Sequence, residues 1–476
     1  MIGIIASAAV YLVVLGKWPM ALMVPVLLAI VLRTSHRTTA LVTGLAIVAA
    51  IWIQTAQPAS LPDQVDTIDA WHLKVTSVSQ QRNNGWDFVA EVQDGPVAGT
   101  RLLIHSTDPT PPPNRSYIHI RGTAIPATED GTVFRRVTSL GASGEIYTSE
   151  VIIVPGEPAS FTDRIHNRAS AWRLDVIRQI QIAIPGDSGA LVAGFVTGDD
   201  GHLSAAGDAT FRAAGLSHLT AVSGANLAML LSMIGIAGHL GRRGRYSIAI
   251  AGVVILWGYA LFVGLPPPTL RAALLATAVG IARLLGRPVD VIGLSLFTVV
   301  AQIAIRPEDA WSVSFHLSTA ASLGLAAGLS RYPMVDDARN VGDLFSATAL
   351  AQLTTLPIIV GVFGTAPLFS LFANIAAAPF AGFSFALGVF GAATSMVSRD
   401  LGTILLIPAG WSAEIVLGIA SLYGRAWSVL SFREWPEPVI VLMTIVVLLL
   451  TLAIGGELSL LRRQFANERS IRADSS

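Results

Sequence analysis

Ala366–Val397 reads APLFSLFANIAAAPFAGFSFALGVFGAATSMV, and no side chain in it carries a charge. About 20 apolar residues suffice for a helix to cross a bilayer, so this stretch predicts a membrane helix. Runs of the same character extend outward from it. Leu401–Tyr423 and Pro438–Ile454 follow. Ser217–Leu240, Tyr246–Val263, Pro268–Leu285, Pro288–Ile305, Glu308–Leu329 and Val341–Phe363 precede. Ile2–Leu15, Met20–Leu32 and Thr39–Ile53 open the chain, with no basic residues ahead of the first run, which predicts a retained anchor rather than a cleaved signal. The fold class expected is a polytopic α-helical membrane protein of about twelve crossings. Composition agrees: 53% of the 476 residues are hydrophobic and 13% charged, about half the charge of a soluble domain. Prolines 357, 367, 379 and 408 predict kinked or interrupted helices.

Between Pro58 and about Pro155 the long apolar runs stop. Turn signals appear at Asn83-Asn84-Gly85, Asp94-Gly95-Pro96, Pro111-Pro112-Pro113 and Asp130-Gly131. Short β-type segments lie between them: His72–Ser79, Trp86–Val92, Thr100–His105, Ser116–Thr123, Thr132–Val137 and Glu145–Val154. Five or six short strands in so little chain predict a small β-barrel or sandwich, with an OB-like barrel the first choice. Trp71, Trp86, Phe88 and Tyr117 are candidates for stacking on a nucleic-acid base, or for its core. Residues 61–150 hold seven basic and eleven acidic side chains, so a structural or partner-docking role fits at least as well as DNA binding.

The organisation expected is N-terminal membrane helices over 1–56, the β-domain over 57–158 and an amphipathic connector over 159–187. A transmembrane core over 188–456 and a polar tail over 457–476 complete it. In the connector, Ile165, Trp172, Val176, Ile177 and Ile180 recur at helical spacing, with Arg164, Arg168, Arg173 and Arg178 at other positions. That pattern fits a helix on the membrane surface or one packed as a link. Leu191–Val196 and Ala205–Ala214 are too short or too polar to span. Asp208 and Arg212 are spaced for an exposed i, i+4 pair. With the N-terminus inside, fourteen basic residues fall in cytoplasmic segments against Lys17, Arg306, Arg425 and Arg433 in short outer ones. The positive-inside rule therefore places the β-domain outside the cytoplasm and the tail inside.

Ionisable groups within a bilayer cost about 2.5–3.5 kcal/mol on insertion scales and usually face protein or water. Here they are His218, Arg271, His316 and Glu414, with Asn226 and Asn374 polar beside them. Arg271 follows Pro266-Pro267-Pro268 by a turn, which suits a conduit, a polar network or an interfacial anchor. Ser223-Gly224 with His218 or His316 fits a Ser–His dyad of an intramembrane serine protease, though no oxyanion loop accompanies it. Cysteine is absent, no two of the nine histidines lie within four positions, and no phosphate-binding Walker loop occurs. These absences exclude disulfides and thiolate metal sites and argue against a metal hydrolase or an ATP motor.

Four motifs then carry a resemblance. Gly215-Leu216-Ser217-His218-Leu219-Thr220-Ala221-Val222-Ser223-Gly224 is the first. Pro268-Thr269-Leu270-Arg271-Ala272 and Phe315-His316-Leu317-Ser318 follow. Leu356-Pro357, Phe363-Gly364 and Ala373-Asn374 through Pro379 close the series. In this order they resemble the ComEC competence-protein family, the inner-membrane DNA-uptake channel. Two positions depart from the family: Ala225-Asn226 stands where Leu-His is usual, and His316 where Gln is usual.

The resemblance implies a channel for single-stranded DNA during natural transformation, not an enzyme, with no cofactor and no metal. It implies His218, Ser223, Asn226, Arg271, His316 and Asn374 along the DNA path. Membrane lipids surround it, and an extracytoplasmic DNA receptor and a cytoplasmic helicase-like ATPase are its implied partners. Many members carry a C-terminal metallo-β-lactamase-like domain; this sequence does not include one, so a nuclease would be a separate protein. A secondary transporter or exporter of another solute is the alternative that composition allows.

Overall fold

A computed structural model describes residues 61, 70–77, 79–82, 85–126, 137, 140–154, 161–199, 201–220, 224–240, 245–286, 291–329, 341–363, 365–425 and 429–431. The expected crossings before residue 56, the one at Pro438–Ile454, the strand at Thr132–Val137 (save Val137) and Ser223 lie outside them.

The N-terminal part is a sheet of eight strands: β1 Ala70–Val75, β2 Gln80–Arg82, β3 Gly85–Val92, β4 Arg101–Ser106, β5 Tyr117–Arg121, β6 Ala124–Pro126, β7 Gly144–Thr148 and β8 Val151–Ile153. Their order is β6-β7-β4-β3-β1-β5-β8, with β2 on β3. Among the described strands only β4 and β7 run parallel, Ile104 opposite Ile146; the other pairs are antiparallel. Since β6 continues β5 and β8 continues β7, the pairs β6–β7 and β5–β8 close the sheet on itself. Gly122 forms the corner between β5 and β6. A Cβ there would stand 2.8 Å from Ile146 Cγ2 and from the Tyr147 oxygen, so only glycine fits. Alternate residues point inward: Leu73 and Val75, Phe88, Ala90 and Val92, Leu102 and Ile104, Ile118 and Ile120 fill one core with Trp71 and Ile146.

The remainder is helical. Helix α1 is Phe161–Ala183, α2 Asp187–Thr197, α3 Ala205–Ala214, α4 Ser217–Thr220, α5 Gly224–Leu240, α6 Arg245–Phe262, α7 Pro267–Leu284 and α8 Val291–Ile305. A 3-10 turn, Pro307–Trp311, leads to α9 Val313–Leu329, then α10 Val341–Phe363, α11 Ser370–Ser395 and α12 Arg399–Tyr423. Strands β9 (Thr365–Pro367) and β10 (Val429–Ser431) pair as a small ribbon. Among the described residues two helices, α11 and α12, are long and apolar enough to cross a membrane, and Ile250–Phe262 and Pro267–Ala282 are shorter apolar helices. The stretch read as Ser217–Leu240 is two helices, and Ala366–Val397 is a strand followed by a helix.

Helices α11 and α12 are locked by serines as well as by small residues. Ser384 Oγ donates to the Ala409 oxygen at 2.9 Å and Ser412 Oγ to the Phe380 oxygen at 2.8 Å. Interhelical hydroxyl bonds and close backbones replace the hydrophobic drive that lipid cannot supply. Helix α1 ties the barrel to this bundle. Lys74 Nζ on β1 donates to Asp163 Oδ2 at 3.2 Å near its start, while Val176, Ile177 and Ile180 enter the helical core near its end. The packed link is therefore the observed role of these residues. Two positions read as apolar face, Ile165 and Trp172, are instead exposed, and Arg173, placed off that face by periodicity, is buried.

Candidate polar conduit

Helix α2 ends in the middle of the molecule, where its last carbonyls have no helical partner. Three neighbouring helices supply donors. Asn226 Nδ2 on α5 reaches the Phe195 oxygen at 3.2 Å, Tyr259 Oη on α6 the Val196 oxygen at 2.9 Å, and Arg173 Nε on α1 the Thr197 oxygen at 3.2 Å. Arg173 also bonds Asp199 Oδ2 at 3.2 Å and the Ser79 oxygen of the barrel at 3.5 Å. Asn226 is thus 8% exposed and fastens α2. His202 sits beside this pair; its own burial pulls the imidazole down from its ordinary value, Asp199 opposes that and Arg173 adds to it.

The four sequence motifs meet in pairs. Gly215 caps α3 with φ +73°, and a Cβ on it would come within 2.6 Å of both Pro367 and Ser370. A side chain is therefore barred twice over, by backbone and by space. The turn it makes carries His218 to Asn374, with Nε2 3.2 Å from Oδ1 and Nδ1 3.2 Å from the Gly215 oxygen. That joins the first motif to the last. The second and third motifs join through Arg271. From α7, its Nη1 donates to Thr319 Oγ1 at 2.6 Å and the Phe315 oxygen at 3.4 Å, and its Nη2 to Ser318 Oγ and to Ser322 Oγ at 3.2 Å. All four acceptors lie on α9. Arg271 is 6% exposed, and none of the ion pairs among the described residues includes it.

A seam of buried polar groups runs between α7, α8 and α9 around this arginine. Ser295, Thr298 and Gln302 recur at i, i+3 and i+7 on α8 with 4%, 0% and 0% exposure; Thr269, Asp309, Ser312, His316 and Thr319 are buried on the neighbouring turns. At one end of the seam, Gln302 Nε2 donates to the Pro267 oxygen at 3.0 Å and to Asp309 Oδ2 at 2.6 Å. Arg306 bonds the Leu265 oxygen at 2.7 Å and lies 3.3 Å from Asp309 Oδ1. This knot holds the turn that starts α7, where Leu265 adopts φ +57°, a left-handed backbone that costs a leucine energy and needs fixing.

Of the residues expected along the path, Arg271 and His316 therefore lie in one seam, and His218 and Asn374 form a second contact. Asn226 fastens α2. Glu414 is on the exposed face of α12 and joins neither group. The stacking surface expected on the β-domain is not assembled. Trp71 and Phe88 are 2% and 1% exposed and fill the barrel, Trp86 packs against that core, and Tyr117 lies under Lys74, whose Nζ is 5.0 Å from its ring centre. Core packing wins because the closed sheet turns alternate side chains inward, and the buried Trp71 indole is satisfied there by donating Nε1–H to the Gly122 oxygen at 2.8 Å. Gln302, Asp309, Arg306 and Thr319 escaped the sequence reading. The signal was present in the i, i+3, i+7 spacing of Ser295, Thr298 and Gln302 within an otherwise apolar run.

The arrangement defines a class: a helical protein with apolar exterior faces, two helices among the described residues long and apolar enough to cross a membrane, and a buried polar seam around Arg271. Comparison narrows the class. The model of the Competence protein family matches residues 195–457, over half of the chain, and the chain belongs to that family. It is also 24% identical over 305 residues to ComE operon protein 3 of Bacillus subtilis (strain 168). That match takes in 63% of this chain and 38% of the relative, so the chain corresponds to well under half of that protein's length. No solved structure matches.

Proposed function

We propose that the protein is the membrane channel through which single-stranded DNA enters the cytoplasm during competence. The observation that carries this reading is the Arg271 seam, a buried cation surrounded by hydroxyls between apolar helices. A DNA strand bears about one negative charge per nucleotide and cannot cross hydrocarbon unshielded. It needs a wall of polar groups that replaces water without gripping each phosphate. Sparse hydroxyls, one arginine and a few amides meet that need better than a dense basic lining. Family membership supplies the competence context, and the motif residues come together at the seam and at the His218–Asn374 contact.

In this reading the chain is multi-pass with about twelve crossings, N-terminus and tail inside. Support comes from the eight expected runs between residues 217 and 423, each of which contains a helix. The β-domain is an extracytoplasmic OB-like barrel, a reading that rests on its closed path and its single parallel pair. With its aromatics inside, it serves as a docking or positioning module for a DNA receptor rather than as a stacking surface. A helicase-like ATPase inside completes the pathway. No catalytic step is assigned to this protein.

Uptake of labelled DNA by a deletion strain carrying variants tests the proposal. Arg271→Ala is expected to abolish uptake while the protein still inserts. Unchanged uptake in alanine variants of His218, Asn226, Arg271, His316 and Asn374 would instead favour a transporter of another solute.

A further inference from the structure

The Arg271 guanidinium is fully occupied on its Nη side, since four oxygens of α9 take its four Nη protons. A strand phosphate cannot bond those atoms without breaking the clamp. The hydroxyls are different. Each serine or threonine oxygen that accepts from the arginine keeps its own proton to donate. Ser322 spends that proton on the Ser318 oxygen at 2.8 Å. The hydroxyl protons of Ser318 and Thr319 have no acceptor among the hydrogen bonds of the described residues. Ser318 is half-buried, whereas Thr319 and Arg271 are both buried.

A lone buried guanidinium carries a net charge that hydroxyl dipoles solvate but do not cancel. An anion in front of those hydroxyls would cancel it. Hydroxyls polarised by a cation are stronger donors than neutral ones. We infer that Ser318 and Thr319 form an anion site that takes a single phosphodiester group, with Arg271 behind them as a positioning and polarising residue. Contact through hydroxyls keeps the hold weak, because no direct ion pair forms, and a weak hold suits a site a polymer must leave. That the phosphodiester belongs to DNA rests on the channel reading; the anion site itself does not.

The test uses the full chain in detergent micelles. Its thermal midpoint is followed as dimethyl phosphate replaces gluconate at constant ionic strength, since a ligand that binds only the folded form raises that midpoint with concentration. The wild type is expected to gain stability with dimethyl phosphate. Both Arg271→Gln and the double variant Ser318→Ala, Thr319→Val are expected to lose that gain, an apparent affinity weaker by about tenfold or more. The double variant keeps the cation and removes only small groups, so it remains informative should Arg271→Gln fail to fold.

Two results overturn the site. One is no anion-dependent shift in the wild type. The other is a double variant that responds as the wild type does, which would mean a direct grip by the arginine. DNA uptake measured in the same variants addresses the channel reading separately. Uptake lost in Arg271→Ala without any anion shift would leave the channel standing and remove the site.

Discussion

Two buried arginines, Arg173 at the junction of barrel and bundle and Arg271 in the seam, show opposite solutions to one problem. Arg173 is 2% exposed and meets Asp199, whose side chain is 0% exposed. Its charge is cancelled, and its remaining bonds hold Thr197 and Ser79 in place. Arg271 is nearly as buried and meets only hydroxyls and one carbonyl. A cancelled charge fixes structure; an uncancelled one keeps a field for something that arrives later. Under the proposed channel reading, the first is a structural cation and the second a functional one.

The comparison breaks if the two arginines respond alike. Removing one partner of a buried ion pair strands the other charge, at a cost of about 3–5 kcal/mol. Arg173→Met is therefore expected to lower the thermal midpoint sharply, with uptake lost along with the fold. Arg271→Gln removes no counter-charge. Its expected signature is uptake reduced by more than tenfold, of the order that about 1.4 kcal/mol represents, with the chain still inserted and a smaller loss of midpoint. Should Arg271→Gln unfold the protein as thoroughly as Arg173→Met, the distinction fails.

Gln302→Leu sharpens the picture at the end of the seam. It leaves the Pro267 oxygen and Asp309 without their amide donor, and an unsatisfied buried group costs about 1–3 kcal/mol. The expected result is a moderate fall in midpoint and partial loss of uptake, because the turn that places Arg271 loosens. The half-buried Lys74–Asp163 pair sits lower still. Burial pulls the Lys74 ammonium down, but its bonds to Asp163 and Tyr117 outweigh this and hold it above its ordinary value. A raised lysine stabilises the fold below its unfolded value and loses that contribution as pH rises through the folded one. Lys74→Met should remove a small alkaline dependence of stability, within about 1 kcal/mol. Asp208→Asn, which opens an exposed pair of 2.8 Å, should leave the midpoint within error, since such helix pairs are worth about 0.3–0.5 kcal/mol.

Much of the architecture was legible because apolar length and period-2 alternation are local signals. Val341–Phe363 is read with the bounds it has, and β1, β3, β4 and β5 lie within a few residues of their expected segments, whereas β2 and β6 escape the reading and β7 and β8 are expected as one strand over Glu145–Val154. The contacts that matter were not legible, because they are not local. Nothing in the sequence spacing says that His218 meets Asn374 or that Arg271 reaches Ser318 and Thr319. The motifs marked the neighbourhoods, and packing chose the partners. Arg173 shows the same limit from the other side. Helical periodicity assigns it to a wet face, yet the carbonyls ending α2 and the carboxylate of Asp199 repay its burial. Trp71 and Phe88 were ambiguous between platform and core until the sheet closed around them.

The chain contains no cysteine, so a single one can be placed where the conduit wall should be. Ser318→Cys in protein reconstituted into vesicles, treated with a charged, membrane-impermeant thiol reagent, tests whether the seam faces water. Reaction with that reagent, slowed when a single strand is held in transit, is the expected result. A thiol that reacts only with a lipid-soluble maleimide, and at the same rate with or without DNA, would contradict the account.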